Sequence, residues 1–178
     1  MEDLEQLIRG CKRNDRKSQE QLYKQFYAPL YCLCRRIFEN DHEAIESVND
    51  GMIKVFNNIS AYREDKGRFF NWVYTIVRHT ALDKLRAALP FTEHVGGLDG
   101  IPEAEAGRNP MEELEWKDMY VLLDQLNPAT RVVCSLFYME GYSVKDIAEQ
   151  LSISDGTVKW HLSESRKKMK LLMEKYLS

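Results

Sequence analysis

Apolar residues recur along this chain at three- and four-residue intervals, and no stretch alternates long enough to build a sheet. Leu22, Phe26, Leu30, Cys34 and Phe38 fall at fours, with Tyr23, Tyr27 and Tyr31 beside them. That spacing predicts a helical stretch from Gln19 to Phe38 with one core face, preceded by a short helix over Leu4 to Cys11 and a polar break. Pro29 starts a new helix or kinks this one. In residues 41–59 the apolar stripe is Ile45, Val48, Met52, Val55 or Phe56, and Ile59, opposite Glu43, Glu46, Asn49, Asp50, Lys54 and Asn57. Gly51 sits inside this helix, where it costs about 1 kcal/mol relative to alanine, so a close neighbour is expected there. After a polar loop, residues 69–86 offer Phe69, Trp72, Ile76, Leu82 and Leu85 for burial. They leave Tyr74, Arg78, His79, Lys84 and Arg86 on a face that is aromatic and basic together.

The sharpest pattern lies at residues 143–170. Ser143 with Asp146 three residues on forms a capping box, and Ile147, Ala148 and Leu151 give the first helix its apolar side. Ile153 plugs a tight turn. Ser154 is placed to cap a second helix with Asp155 at its positive end, and Val158, Leu162 and Ser165 point inward. Lys159, Trp160, His161, Ser163 and Glu164 are left for the outward face. Long polar side chains on one face and an apolar face packed on a partner helix are what a helix-turn-helix reading DNA requires.

The formal net charge of -3 hides an uneven distribution. Residues 1–88 carry 15 Lys or Arg against 13 Asp or Glu, residues 89–115 carry 1 against 7, and residues 116–178 carry 9 against 8. Phosphate neutralisation is local, so the strip Arg166, Lys167, Lys168 and Lys170 matters more than the total. The acidic middle, residues 89–110, holds three prolines and four glycines and predicts a flexible linker. The expected organisation is all-α: a helical domain at 1–88, the linker at 89–110 and a helix-turn-helix domain at 111–178. Leu122, Leu126, Val133, Leu136 and Phe137 are expected to build the core of the second domain.

Other chemistries find little footing. No apolar run approaches the ~20 residues needed to span a bilayer, and the start, MEDLEQLIRG, lacks a secretory pattern, so a cytoplasmic location is expected. Cys11, Cys32, Cys34 and Cys134 have neither metal-ligand nor disulfide-framework spacing and are expected as buried or partly buried free thiols. No phosphate-cradling glycine loop or glycine-flanked nucleophilic serine occurs, so neither an enzyme nor a cofactor is expected. Glu46 and Asp50 at helical spacing read better as a solvated or partner-facing acidic face than as a metal pair.

Three segments in order, NDGMIKVFNNI, then FFNWVYTIVRHTALDKLR, then LDQLNPATRVVCSLFYMEGYSVKDIAEQLSISDGTVKWHLSESRKKMK, resemble a bacterial extracytoplasmic-function (ECF) sigma factor over nearly the whole chain. The resemblance implies a transcription initiation factor that binds core RNA polymerase and directs it to promoters. By similarity, Glu46, Asn49, Asp50, Lys54 and Asn57 would dock on the polymerase clamp, where carboxylates suit arginines of the partner. The loop from Asn57 to Phe70 and the helix from Trp72 to Arg86 would melt the minus-ten element and capture a flipped base of the non-template strand. The DNA-contacting candidates there are Arg68, Trp72, Tyr74, Arg78, His79, Thr80, Lys84 and Arg86. His79 stands where the family usually has asparagine, and it either makes one hydrogen bond or stacks.

The helix-turn-helix would read the minus-thirty-five element in duplex DNA through Lys159, Trp160, His161, Ser163 and Glu164, with Thr157, Arg166 and Lys167 on the backbone. Trp160 and Glu164 depart from the commonest pattern, and Glu164 either accepts from a cytosine amino group or is repelled by phosphate. An anti-sigma factor is the further partner that the family implies. The rival readings are a sigma-like decoy that sequesters an anti-sigma factor and a plain helix-turn-helix regulator.

Overall fold

The computed structural model describes residues 4–88 and 123–176, and across them every regular element is helical, as expected. The chain divides into two compact units, residues 1–85 and 86–178. The expected linker at 89–110 and the expected core residue Leu122 lie outside the described residues.

The first unit is built from α1 (Leu4–Lys12), α2 (Arg16–Ile37), α3 (Asp41–Asn58) and α4 (Phe69–Ala88), with short 3₁₀ turns at Ile59–Ala61 and Glu64–Lys66. Local chemistry sets the starts. Asp15 caps α2 by accepting from the Ser18 amide at 2.9 Å, and Asn40 caps α3 by accepting from the Glu43 amide at 2.8 Å. Pro29 does not start a new helix: α2 runs through it from Arg16 to Ile37. Pro29 lies on the exposed side, while Leu22, Phe26, Leu30, Leu33, Cys34 and Ile37 bury the other side. Tertiary burial of that many large side chains outweighs the ~3 kcal/mol penalty of an interior proline.

Gly51 has the close neighbour its position called for. A Cβ there would stand 2.8 Å from Cγ2 of Val77 and 2.9 Å from its Cα, so α3 rests directly on the backbone of α4. This contact also corrects two expected faces. On α3 the buried line runs through Ala44, Val48, Gly51, Met52 and Val55, leaving Ile45 38% exposed and Phe56 half-buried. On α4 the centre is Val73, Val77 and Ala81, with Phe69, Leu82 and Leu85 also buried, whereas Trp72 and Ile76 are only half-buried. Both helices are turned so that Gly51 and Val77 meet.

The second unit contains α5 (Pro128–Cys134), a π-helical turn (Ser135–Met139), α6 (Val144–Leu151) and α7 (Asp155–Tyr176). Asn127 caps α5, its Oδ1 accepting from the Thr130 amide at 2.9 Å, with Pro128 in the first turn where no N–H is needed. Arg131, fully buried, fixes the segment before α5. Its Nε donates to the Leu123 carbonyl at 2.9 Å, and a terminal nitrogen donates to the carbonyls of Asp124 and Leu126 at 3.3 Å each. Asp124 lies 3.7 Å from the guanidinium, so the buried charge is compensated. Leu123, Leu126, Cys134 and Met169 pack together as a core cluster of this unit. Of the expected core residues, Leu126, Val133 and Leu136 are buried and Phe137 is half-buried.

Cys11, Cys34 and Cys134 are buried, while Cys32 is exposed on α2. Burial pushes the Cys34 and Cys134 thiols up to about 12 and Cys11 to about 11, so all three stay neutral at physiological pH.

Two measurements check this architecture. Gly51→Ala is expected to destabilise the first unit by up to about 2 kcal/mol, since overpacking costs roughly 1–3 kcal/mol and helix propensity returns about 1. The loss would be read as faster amide exchange in α3 and α4, and Val77→Ala should restore only part of it because the Val77 Cα also obstructs. An unchanged exchange pattern would mean the helices separate at no cost. With a thiol reagent under native conditions, Cys32 is expected to react first, and the other three only after unfolding.

Candidate nucleic-acid and protein-docking surfaces

The outward side of α3 carries Glu46, Asn49, Asp50, Lys54 and Asn57, all exposed, and Ile45 and Ile53 lie among them. Ile53 is 57% exposed, the larger of the two. The expected polar face is therefore mixed, with two aliphatic side chains set between carboxylates and amides. Sequence periodicity missed Ile53, although its position eight residues after Ile45 and four after Asn49 puts it on the same face. Glu46 is not free: its carboxylate accepts from Lys84 Nζ of α4 at 2.5 Å. That hydrogen bond and the lysine's charge hold the Glu46 carboxyl below the usual carboxylate range. Asn49 Oδ1 accepts from the Tyr23 hydroxyl of α2 at 2.7 Å.

An aromatic cluster joins the loop after α3 to the start of α4. Tyr62 meets Phe69 edge-on at 4.8 Å between centroids and Trp72 at 5.7 Å, while Phe70 lies 5.4 Å from Phe26 and 5.8 Å from Tyr74. Leu4, Ile8, Arg9 and Lys12 of α1 face Tyr62, Arg68, Phe69 and Phe70 across an open groove. Its floor is apolar and aromatic; Arg9, Lys12 and Arg68 are exposed at its margin together with Glu5, which pairs with Arg9 at 3.3 Å, and Glu64. The contribution of α1 to this groove could not be read from periodicity, which says only that one side of α1 is apolar.

The candidate DNA residues of α4 separate into two groups. His79 is exposed, and Trp72, Tyr74, Lys84 and Arg86 are half-buried. Arg78 and Thr80 are corrected: they are only 8% and 7% exposed, because they flank the Val77 and Ala81 contact line. The Thr80 hydroxyl turns back to the Ile76 carbonyl at 2.9 Å. The Tyr74 hydroxyl accepts from Arg36 at 2.9 Å, and Lys84 is engaged by Glu46, so neither presents its polar end without rearranging.

In the second unit the helix-turn-helix forms as its spacing predicted. Ser143 and Asp146 make the reciprocal capping box, and burial of Ile147, Ala148 and Leu151 seats α6. Ser152 takes the left-handed turn conformation, φ 57°, and half-buried Ile153 bonds back through its amide to the Ala148 carbonyl at 3.0 Å. Ser154 Oγ accepts from the Thr157 amide at 3.1 Å and starts α7. Val158, Leu162 and Ser165 are buried, which leaves Lys159 and Lys167 exposed and Trp160, Ser163, Glu164 and Arg166 half-buried.

Two expected DNA contacts are corrected here. His161 is 4% exposed, and its Nδ1 lies 2.8 Å from the Thr130 hydroxyl of α5, so it locks α7 to α5 rather than facing outward. Thr157 is fully buried with its hydroxyl on Ser154 Oγ at 2.9 Å, which makes it part of the cap. Glu164 accepts from Lys167 Nζ at 2.9 Å, and Arg166 Nε donates to the Tyr138 hydroxyl at 2.9 Å. Tyr138 was not legible as a site residue, because its partner lies 28 positions away.

Among the described residues no cluster of His, Cys, Asp or Glu could hold a metal ion, and no helix is long and apolar enough to cross a membrane.

The chain matches the family models for Sigma-70 region 2 over residues 22–89 and for Sigma-70, region 4 over residues 117–169. It is similar to the ECF RNA polymerase sigma factor SigW of Bacillus subtilis, 24% identical, with 94% of this chain and 95% of SigW covered. Similarity to the ECF RNA polymerase sigma factor SigM of Mycobacterium tuberculosis is also 24% identity, covering 94% of this chain and 83% of SigM. A solved structure of CnrH in complex with the cytosolic domain of CnrY aligns with a TM-score of 0.48 at 18% identity, covering 94% of this chain and 95% of that one.

His161→Ala is expected to destabilise the second unit by about 2 kcal/mol or more, since it opens a cavity and strands the Thr130 hydroxyl. Lys159→Ala should leave the melting temperature unchanged. Equal melting temperatures for the two variants would return His161 to the outward face.

Proposed function

Because the chain belongs to the sigma-70 family of transcription initiation factors, as an ECF RNA polymerase sigma factor, we propose that it binds core polymerase through α3 and reads two promoter elements, one with each unit. The observation that carries this reading is the side-chain set packing leaves outward on α7: Lys159, Trp160, Ser163 and Glu164, beyond a capped helix start and ahead of Arg166, Lys167 and Lys168. That is a base-reading face followed by a phosphate-contacting strip. Lys159 is the long cation nearest the helix start and suits a guanine edge. Glu164, with Lys167 offsetting its charge, suits a cytosine amino group better than an unpaired carboxylate would.

In the first unit exposure supports the same division of labour. The α3 face of Glu46, Asn49, Asp50, Lys54 and Asn57, with Ile45 and Ile53 between them, fits a partner surface of arginines on an apolar helix. The α1 groove, with Tyr62, Phe69 and Phe70 along it and Lys12 and Arg68 at its margin, fits an unstacked base whose flanking phosphates are held by cations. His79 and Trp72 lie along α4 as the further contacts to the melted non-template strand, together with Arg86. An anti-sigma factor that silences the protein would find its apolar anchorage on Ile45 and Ile53. The cytoplasm is the compartment in which all these partners meet.

The reading is tested by run-off transcription with purified core polymerase on a genomic library, sequencing the transcript starts. Starts that share two upstream motifs at fixed spacing are expected. Lys159→Ala should lower promoter-specific initiation about tenfold, in line with the ~1–3 kcal/mol of a base contact, while core binding is unchanged. Core binding without any transcript would replace this reading with the decoy, and no core binding with retained DNA binding would replace it with a plain regulator.

A further inference from the structure

Tyr23, Tyr27 and Tyr31 form a row along α2, spaced one turn apart and half-buried. The rings of Tyr23 and Tyr27 lie 5.6 Å apart, and those of Tyr27 and Tyr31 stack at 5.8 Å with an interplanar angle of 16°. Both ends of the row are tied to α3. The Tyr31 hydroxyl donates to Asp41 Oδ1 at 2.8 Å, and the Tyr23 hydroxyl donates to Asn49 Oδ1 at 2.7 Å. Tyr23 and Tyr31 are two turns apart on α2, as Asp41 and Asn49 are on α3, so the row and the helix are in register. Arg35 also reaches Asp41 at 3.0 Å, which anchors the far end.

We propose that Tyr23 is a positioning residue for partner docking: it fixes the side-chain amide of Asn49 so that the NH2 group faces outward from α3 as a preorganised donor. The inference rests on the reading of α3 as the docking face and specifies what the partner offers there. An exposed asparagine amide ordinarily turns over freely and presents either its oxygen or its nitrogen. Here the oxygen is occupied by a phenol, a better donor than acceptor, and the phenol ring itself lies against Tyr27, tilted by 36°. Partial burial and the neighbouring Tyr27 raise the Tyr23 hydroxyl above its ordinary range, so it keeps its proton at neutral pH. The partner group opposite Asn49 is then a hydrogen-bond acceptor, such as a backbone carbonyl, set beside the cation that Asp50 calls for. Holding the donor before contact removes an ordering cost that binding would otherwise carry.

The test is a double-mutant cycle read as the dissociation constant for purified core polymerase. Tyr23→Phe removes one hydroxyl from a half-buried ring and keeps its contact with Tyr27, and the hydrogen bond it loses is exposed, so its melting temperature should stay within a few degrees of the parent's. Its affinity for core is expected to fall about two- to tenfold, the size of the ordering cost of one side chain. In an Asn49→Ala background the same substitution should have no effect, since there is no amide left to orient; a purely structural role would persist. Full affinity in Tyr23→Phe, or an equal loss in the Asn49→Ala background, would overturn the inference. Asp50→Lys separates the two levels: if it lowers affinity while Tyr23→Phe does not, only the role of Tyr23 fails, and if it has no effect the docking face and the inference fail together.

Discussion

The first unit is organised by the absence of one methyl group. Gly51 lets α3 approach the backbone of Val77 in α4 so closely that any Cβ at this position would intrude. That approach sets the rotation of both helices about their own axes. It turns Ala44, Val48 and Met52 inward on one side and Val73, Val77 and Ala81 inward on the other. What remains outward follows by exclusion: the carboxylates, amides and isoleucines of α3, and the exposed His79 of α4. The ~1 kcal/mol that glycine costs in a helix interior is small against the apolar surface this contact buries.

The same approach brings Lys84 to Glu46. These residues were assigned to different partners, one to DNA and one to polymerase, yet they neutralise each other across the helix pair. With the carboxylate about half exposed, such a bridge adds little to stability. Its consequence is for charge: the docking face presents Asp50 as its freer carboxylate, and Lys84 reaches a phosphate only by leaving Glu46. In the second unit the comparable organising group is Arg131, whose guanidinium gathers three backbone carbonyls ahead of α5. The buried Thr130–His161 contact then holds α5 to the reading helix, so α7 is oriented from its inner side by polar contacts as well as by Val158 and Leu162.

Much of the candidate site was visible in residue spacing because helix caps and amphipathic stripes are local. The Ser143–Asp146 box, the Ser154 cap and the inward Val158, Leu162 and Ser165 needed no knowledge of what lies across from them. His161 misled for the opposite reason. It sits on the flank between the buried and exposed sides of α7, where a polar side chain turns either way, and its choice depends on Thr130, 31 residues earlier. Arg78 and Thr80 failed similarly: their character suggested solvent, but the line through Val77 and Ala81 carried them inward.

The sequence by itself determined that this is an all-helical chain with a helix-turn-helix at its end, and, through the order of its motifs, the family to which it belongs. Those properties are encoded within a turn or two of each residue or in the succession of segments, so they survive being read one window at a time. The tertiary structure decided which flank of each helix is buried, which charges are already paired, and that α1 supplies a wall to the aromatic groove beside Tyr62 and Phe69. Those outcomes depend on side chains tens of residues apart meeting at distances of a few ångströms. The periodicity of a single helix carries no record of what it will meet.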